Sequence, residues 1–465
     1  MKKHRNRVGK GRKNRVGKSR KIRPPKVQYE FTDLDLTGFG GSSALARTAR
    51  ELGLFDLLEG ATSVKVRRRG ATDVEMMWAM IATLCRGHGS LSDLDALRAD
   101  RGACVLLGLD QAPEARRAGE WLSRLRTADV KGLWNAGVEF AGRVAPYIIA
   151  HEVETRGYVP LFIDATGIEV DGRLFEGTAK DYHGNRGYWL HGTFLGGLWS
   201  AGQLQPGGGR VTLNWRKHLH WTAGMIPEGA PVWLRGDNAY YKGDLVRECS
   251  QRNWDYSISL TNDHWKGPVL DQLEGLPDSA WTDIGMEEEA IFATHHPNGW
   301  DRMQHYVVIR RRTQGGQFLL VPRHTVILVS RNDLPLEELV HRHRGKQGQE
   351  NAFKGPLVDM DLHHPPCRGY RANQAFYALG QIAQVLLRAV QYTALPKKAR
   401  RHGIRPVIRF VMRTTAHLTR SARQWCVRFA KSNLRLDWLY HLMVKLESGI
   451  PSACGSRDPP CQAAA

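Results

Sequence analysis

The stretch VPLFIDATGIEV, residues 159–170, decides the fold. It is apolar, β-branched and short, and it breaks at an Ala-Thr-Gly turn, so it reads as a strand. Asp164 stands where strand meets turn. The same texture returns downstream. GYWLHGTFLGGLW (187–199) has strand character, and VTLNWRKHLHWTAGMI (211–226) reads as helix. APVWLRGDNAYY (230–241) reads as a strand ending in a turn at Asp237. YKGDLVRECSQRN (241–253) follows as a helix and WDYSISL (254–260) as another strand. Strands that alternate with helical segments predict an α/β core with crossovers.

Outward from this core the texture changes on both sides. AIFATHH, MQHYVVIRRR, GQFLLVP and TVILVS, within 265–330, are short strands separated by Gly, Pro and Asn turns. They predict a β-rich insertion. From 333 the pattern returns to helix, most clearly in NQAFYALGQIAQVLLRAVQY (373–392), an amphipathic core helix with Asn373 near its start. VIRFVMRTTAHL (407–418) and LDWLYHLMVKL (436–446) are read as further helices. On the N-terminal side, SSALARTARELGLFDLLEG, TDVEMMWAMIATLCRG and ADVKGLWNAGVEFAGRVAPYIIAHEV carry apolar residues at helical spacing. The predicted organisation is a basic tail (1–26), a helical domain (32–150) that reads either as DNA-binding or as a packing or dimerisation domain, an α/β core in two pieces (155–264 and 331–395) around the insertion (265–330), a C-terminal helical region (396–450) and a frayed end (451–465).

Charge narrows the partner. The 465 residues carry a formal charge of +21, and the first 26 hold 13 Lys or Arg and no acid. A block of like charge repels itself and cannot collapse. The tail therefore reads as a non-specific arm for a polyanion, most simply nucleic acid. No apolar run is long enough to span a bilayer, and the basic N-terminus is not followed by a signal-peptide h-region. Seven widely spaced cysteines without a CxxC pair argue against a disulfide framework and for a reduced, cytosolic protein.

Asp164 and Asp237 each have a purely structural reading: a bond to the backbone of the turn, or a cap on the following helix. A third acid, Glu350, sits in HRGKQGQENAFKG (343–355) among His343, Arg344, Lys346 and Lys354. Placed on one helix, His343, Lys346, Glu350 and Lys354 share a face. Two ordinary i,i+4 salt bridges explain that pattern; a metal-holding acid flanked by phosphate-holding cations explains it equally. Three converging carboxylates repel one another and need counter-charge. Two Mg²⁺ ions about 3.5–4 Å apart would supply it and would clamp both oxygens of a phosphoryl displacement.

LFIDATG, WLRGDNAYY and the run from His343 to Leu387, in this order and with a strand-rich stretch before the last, resemble bacterial insertion-sequence transposases of the DDE type. Within that group the closest likeness is to insertion-sequence family 1380, with its β-rich insertion before the catalytic Glu. The resemblance covers 155–392. It implies a ribonuclease-H-like core, an acidic triad of Asp164, Asp237 and Glu350, and Mg²⁺ as cofactor, with Mn²⁺ able to substitute. It also implies cleavage at transposon ends followed by strand transfer into target DNA. The partners would be terminal inverted repeats and target DNA, bound by a homodimer, in the bacterial cytoplasm at the nucleoid. The family's motif is Tyr, two residues, Arg, three residues, Glu, six residues, Lys. Counted from Glu350, this chain has His343 in the Tyr place, Lys346 in the Arg place and Leu357 in the Lys place, with Lys354 the nearest cation; His341 and Arg344 alternatively keep the Tyr–Arg interval. Relatives that flip a base against an aromatic residue make Trp300 a candidate stacker. Two other classes compete: a non-catalytic DNA-binding derivative, and a nuclease of the same fold without strand transfer.

Overall fold

The computed structural model describes residues 35–449 except 65–69, 182–183, 315–316, 346–351 and 422–423. The predicted tails at 1–26 and 451–465 lie outside the described residues.

The sheet is built around β2 (Val159–Glu169). It pairs antiparallel with β4 (Arg186–Leu195), which pairs in turn with β5 (Leu198–Gln205) and, at its start, with the two-residue β3 (Ala179–Lys180). On its other side β2 runs parallel to β6 (Val232–Gly236), and β6 runs parallel to β7 (Asp255–Leu260). Every residue of β6 is buried, as a central strand covered on both faces requires. The order β5-β4-β2-β6-β7 has three antiparallel strands joined in sequence and then two parallel strands reached by crossovers. That is a ribonuclease-H-like core.

The inserted strands are part of this sheet. β8 (Thr282–Gly285), β9 (Glu288–His295), β10 (Gln304–Gln314) and β11 (Gln317–Val329) form a meander, and β11 pairs antiparallel with β7. The insertion thereby covers the backbone groups that β7 would otherwise expose as an edge.

The opposite edge is closed by a helix. Numbering helices from the N-terminus, α1–α6 are Ser42–Glu51, Leu54–Glu59, Asp73–Leu84, Asp93–Ala99, Arg101–Leu107 and Ala115–Arg124. The long α7 is Thr127–Arg156, α8 is Trp215–Ala223 and α9 is Gly243–Gln251. Then come α10 (Asp263–Leu270), α11 (Leu336–Arg344) and α12 (Tyr370–Thr393), with α13 (Leu436–Ser448) near the end. α12 is buried on nearly all sides, as a helix inside a core must be. Its polar residues line up on β5. Gln374 Nε2 donates to the Leu204 carbonyl. Gln381 Nε2 donates to the carbonyls of Trp199 and Ser200 at 3.1 and 3.0 Å. Gln384 Nε2 donates to the Gly197 carbonyl at 2.8 Å, while its Oε1 accepts from the Trp199 N–H at 3.0 Å. The helix thus does for β5 what a further strand would do.

Two expectations need correction. The helical region at 32–150 is not a body apart: the described residues fall in one unit, and the hydrophobic core runs without a break from α1 to α13. The C-terminal region at 396–450 is only partly helical. β12 (Ala416–Ser421) and β13 (Gln424–Phe429) form a hairpin that adds β1 (Leu36–Thr37) as a third strand. In AHLTRS, Ala416 and Leu418 point inward while alternate residues are more exposed. That is the period of a strand, and it competes with the helical spacing of the preceding VIRFVM.

Replacing Gln384 by Leu removes the acceptor of the buried Trp199 N–H and a donor to Gly197. The expected loss is about 1–3 kcal/mol. It should be read as a lower denaturant midpoint with an unchanged slope.

Candidate active site

The parallel ladder between β2 and β6 sets the site. Ile163 is in register with Gly236, so Asp164 and Asp237, each the next residue, stand side by side. Neighbouring strands lie about 4.8 Å apart. β6 ends at Gly236, and Asp237 caps the tight turn Asn238–Tyr240, its Oδ1 accepting from the Ala239 N–H at 2.9 Å. Asp164 is not at a strand end as the Ala-Thr-Gly turn suggested. β2 continues to Glu169 because Ala165–Glu169 stay paired with His191–Gly187 of β4. Asp164 Oδ1 accepts from the Ala165 N–H at 2.8 Å. The capping reading of Asp237 is realised, Asp164 bonds the next N–H within its strand rather than a turn, and the register sets the two acids side by side.

Their electrostatics are those of a site short of positive charge. Burial, then the charge of Asp237, pushes the Asp164 carboxyl from 3.8 up to about 7, with Arg235 offsetting part of it. Burial also raises Asp237, against the backbone N–H groups that stabilise its charge. Two oxygen donors of this kind suit a hard divalent cation.

Sequence reasoning missed what lies beneath them. His191, opposite Ala165 on β4, meets His218 of α8 with Nδ1 to Nδ1 at 2.7 Å. One ring must donate through Nδ1 and the other accept, so the accepting ring is neutral. Burial holds His191 down at about 3 and His218 well below its ordinary value. The buried Tyr240 packs against the His191 ring at 6.0 Å, and its hydroxyl is raised by burial and by both aspartates. Lone histidines in an apolar strand and helix gave no signal of this pairing.

Glu350 and Lys346 lie outside the described residues. Their flanks are described. α11 ends at Arg344 with Gly345 as its cap. His343 is buried, with Nε2 2.9 Å from Ser259 Oγ on β7. Arg344 is ion-paired with Glu288. Lys354 is exposed. On the far side, the ring of Phe353 stands edge-on to Phe194 at 5.0 Å and covers Gly192, where a Cβ would meet it at 3.1 Å. Gly192 is the register partner of Asp164. Side chains directly opposite in an antiparallel pair point the same way, so Phe353 lies over the face to which Asp164 points.

Trp300 packs on Gly243 and lies 4.9 Å from the ring of Tyr241. It is half-buried there, as a packing residue would be. Among the described residues no group of three or more His, Cys, Asp or Glu could hold a metal, and no helix is long and apolar enough to cross a membrane.

In metal-free protein the raised Asp164 destabilises the fold once it must ionise. Its folded value lies above its unfolded one, so the proton it keeps favours the fold only at low pH. The penalty grows as pH rises from about 3.8 to about 7. Asp164→Asn in EDTA should melt higher than wild type at pH 8, by at most ~4 kcal/mol, and the gain should vanish near pH 4. A gain of the same size at both pH values would contradict this.

The family described as transposase DDE domain group 1 matches residues 19–449. No curated protein matches the chain. Among solved structures, the piggyBac transposase in its synaptic complex with hairpin DNA aligns over 80% of this chain and 79% of that one, at 10% identity and a TM-score of 0.42.

Proposed function

The chain belongs to the transposase DDE domain group 1 family, and from that premise we propose that it cuts DNA at transposon ends and transfers the freed strand into target DNA. The observation that carries this reading is the register that sets Asp164 beside Asp237 on the two central parallel strands. Glu350 is the proposed third acid. It is three residues from Phe353 in the chain, a span of roughly 10 Å at most, and Phe353 covers the register partner of Asp164.

The donors fit a pair of divalent cations: oxygen ligands only, and carboxyls raised for want of counter-charge. Mg²⁺ is the proposed ion, with Mn²⁺ as a substitute. When bound, such ions supply charge neutralisation and in-line clamping of the attacking and leaving oxygens. Asp164, Asp237 and Glu350 would hold them. The protein otherwise works by positioning. In the first reaction water attacks phosphorus at the transposon end, the P–O3′ bond breaks, and the 3′ oxygen leaves as a hydroxyl. In the second that hydroxyl attacks a target phosphodiester, forming one P–O bond as another breaks.

Lys354, Lys346 and Arg344 are the proposed phosphate holders, with Arg344 shared between DNA and Glu288. His343 would act from inside, by anchoring α11 to β7 through Ser259. The DNA partners would be the terminal inverted repeats and the target, held by a homodimer at the nucleoid.

Asp164→Asn, Asp237→Asn and Glu350→Gln should each reduce metal-dependent cleavage of the element's own end sequences by at least 10³-fold while leaving DNA binding intact. Each swap is near-isosteric and removes one ligand charge. Cleavage and strand-transfer assays with Mg²⁺ or EDTA check this. Wild-type rates in any of the three variants would remove that acid from the triad. Binding without cleavage by the wild type under any metal would leave a DNA-binding protein.

A further inference from the structure

A cleft of about 700 Å³ opens beside the acid pair. Its floor includes Tyr158, Pro160 and Phe162. These alternate along the chain with the fully buried Val159 and Leu161, so they face the same side as Asp164. Phe162 is two residues from Asp164, a step of about 6.6 Å along the strand. The walls come from the ends of α7 and α11, from 352–359, and from α12 and the segment 400–406 that follows it.

The charge of this cleft is lopsided. Eight arginines and lysines line it against two carboxylates, Glu152 and Asp359. Four of the eight are ion-paired: Arg156 with Glu152, Arg342 with Glu338, Arg344 with Glu288 and, at the longest distance, Arg405 with Asp359. The other four have no ion pair with a carboxylate among the described residues. Arg388 donates to the Gly197 and His402 carbonyls and to Gln391 Oε1. Arg400 donates to the Tyr392 carbonyl. These acceptors are neutral, so they orient the guanidinium groups without cancelling their charge. Arg405 has only Asp359, at 3.9 Å, and that carboxyl is raised by burial. Arg401 and Lys354 are exposed.

Of the Phe, Tyr and Trp rings that line the cleft, all but Phe162 already carry a guanidinium. The Arg342 guanidinium lies 4.8 Å from the Tyr158 ring and 4.9 Å from the Trp233 ring. Arg400 lies 5.3 Å from the Tyr392 ring. The ligand chemistry that a row of cations without close carboxylates recognises is a run of phosphates.

We propose that this cleft is a sequence-independent cradle for the DNA backbone leading away from the acid pair, with Lys354, Arg388, Arg400, Arg401 and Arg405 as its contacts. The inference rests on the reading of the protein as a DNA-processing enzyme and extends it. It gives the segment after α12 a direct role in holding substrate.

The test uses full-length protein and two double variants. One is Arg401→Ala with Arg405→Ala, both exposed in the cleft; the control is Arg428→Ala with Lys431→Ala, both exposed and outside it. Binding to duplexes of two unrelated sequences is measured by fluorescence anisotropy in EDTA across a salt series, with thermal melts confirming that both variants fold. Each lost phosphate contact lowers the slope of log affinity against log salt by about 0.9. The cleft variant should bind several-fold more weakly, with a slope shallower by about 2, equally on both sequences, while the control matches wild type. An unchanged slope, an equal loss in the control, or a loss on one sequence alone would overturn the proposal. Cleavage by the wild type in Mg²⁺ is scored separately. A cradle that fails beside active cleavage leaves the enzyme reading intact, and a shallower slope without cleavage does the reverse.

Discussion

The site depends on one ladder, the parallel pairing of β2 with β6. Ile163 opposite Gly236 puts two carboxylates on neighbouring strands at the same level. A slip of one residue would turn every side chain of one strand to the other face, and the acids would part. The register is held by burial: the whole of β6 and the apolar half of β2 are enclosed. The core that stabilises the fold therefore also fixes the geometry of the chemistry.

Both edges of the five-stranded core are closed, by different means. β11 and the rest of the insertion extend the sheet past β7. Glutamine side chains of α12 satisfy the carbonyls of β5. A sheet closed in this way is rigid, which suits a site that works by holding groups in place. It also explains why α12 is polar at spaced positions although it is buried: those residues face backbone, and unpaired backbone groups would be costly there.

Much of this was legible in the sequence, and the exceptions share a cause. The strands at 159, 230 and 254 announced themselves as apolar, β-branched runs, and Asp237 stood just past one of them. The long helices were plain from their spacing. What could not be read was set by partners distant in the chain. Ala165–Glu169 remain strand only because β4 continues beside them. His343 looked like a surface cation, but it is buried, with Nε2 against Ser259 Oγ on β7. The His191–His218 pair, 27 residues apart, exists only once β4 and α8 have packed. The Ala416–Phe429 hairpin gains its third strand from Leu36–Thr37, nearly four hundred residues earlier.

The central claim is that Glu350 joins Asp164 and Asp237 around bound metal, and one measurement addresses it most directly. Fe²⁺ loaded in place of Mg²⁺, then exposed to ascorbate and peroxide, generates hydroxyl radicals that cut nearby polypeptide. Mapping the fragments locates the chain segments around the ion. The account predicts cuts near 164, near 237 and near 350 together, all lost in Asp237→Asn. Cuts near 164 and 237 without any near 350 would contradict it, and the third ligand would have to come from elsewhere.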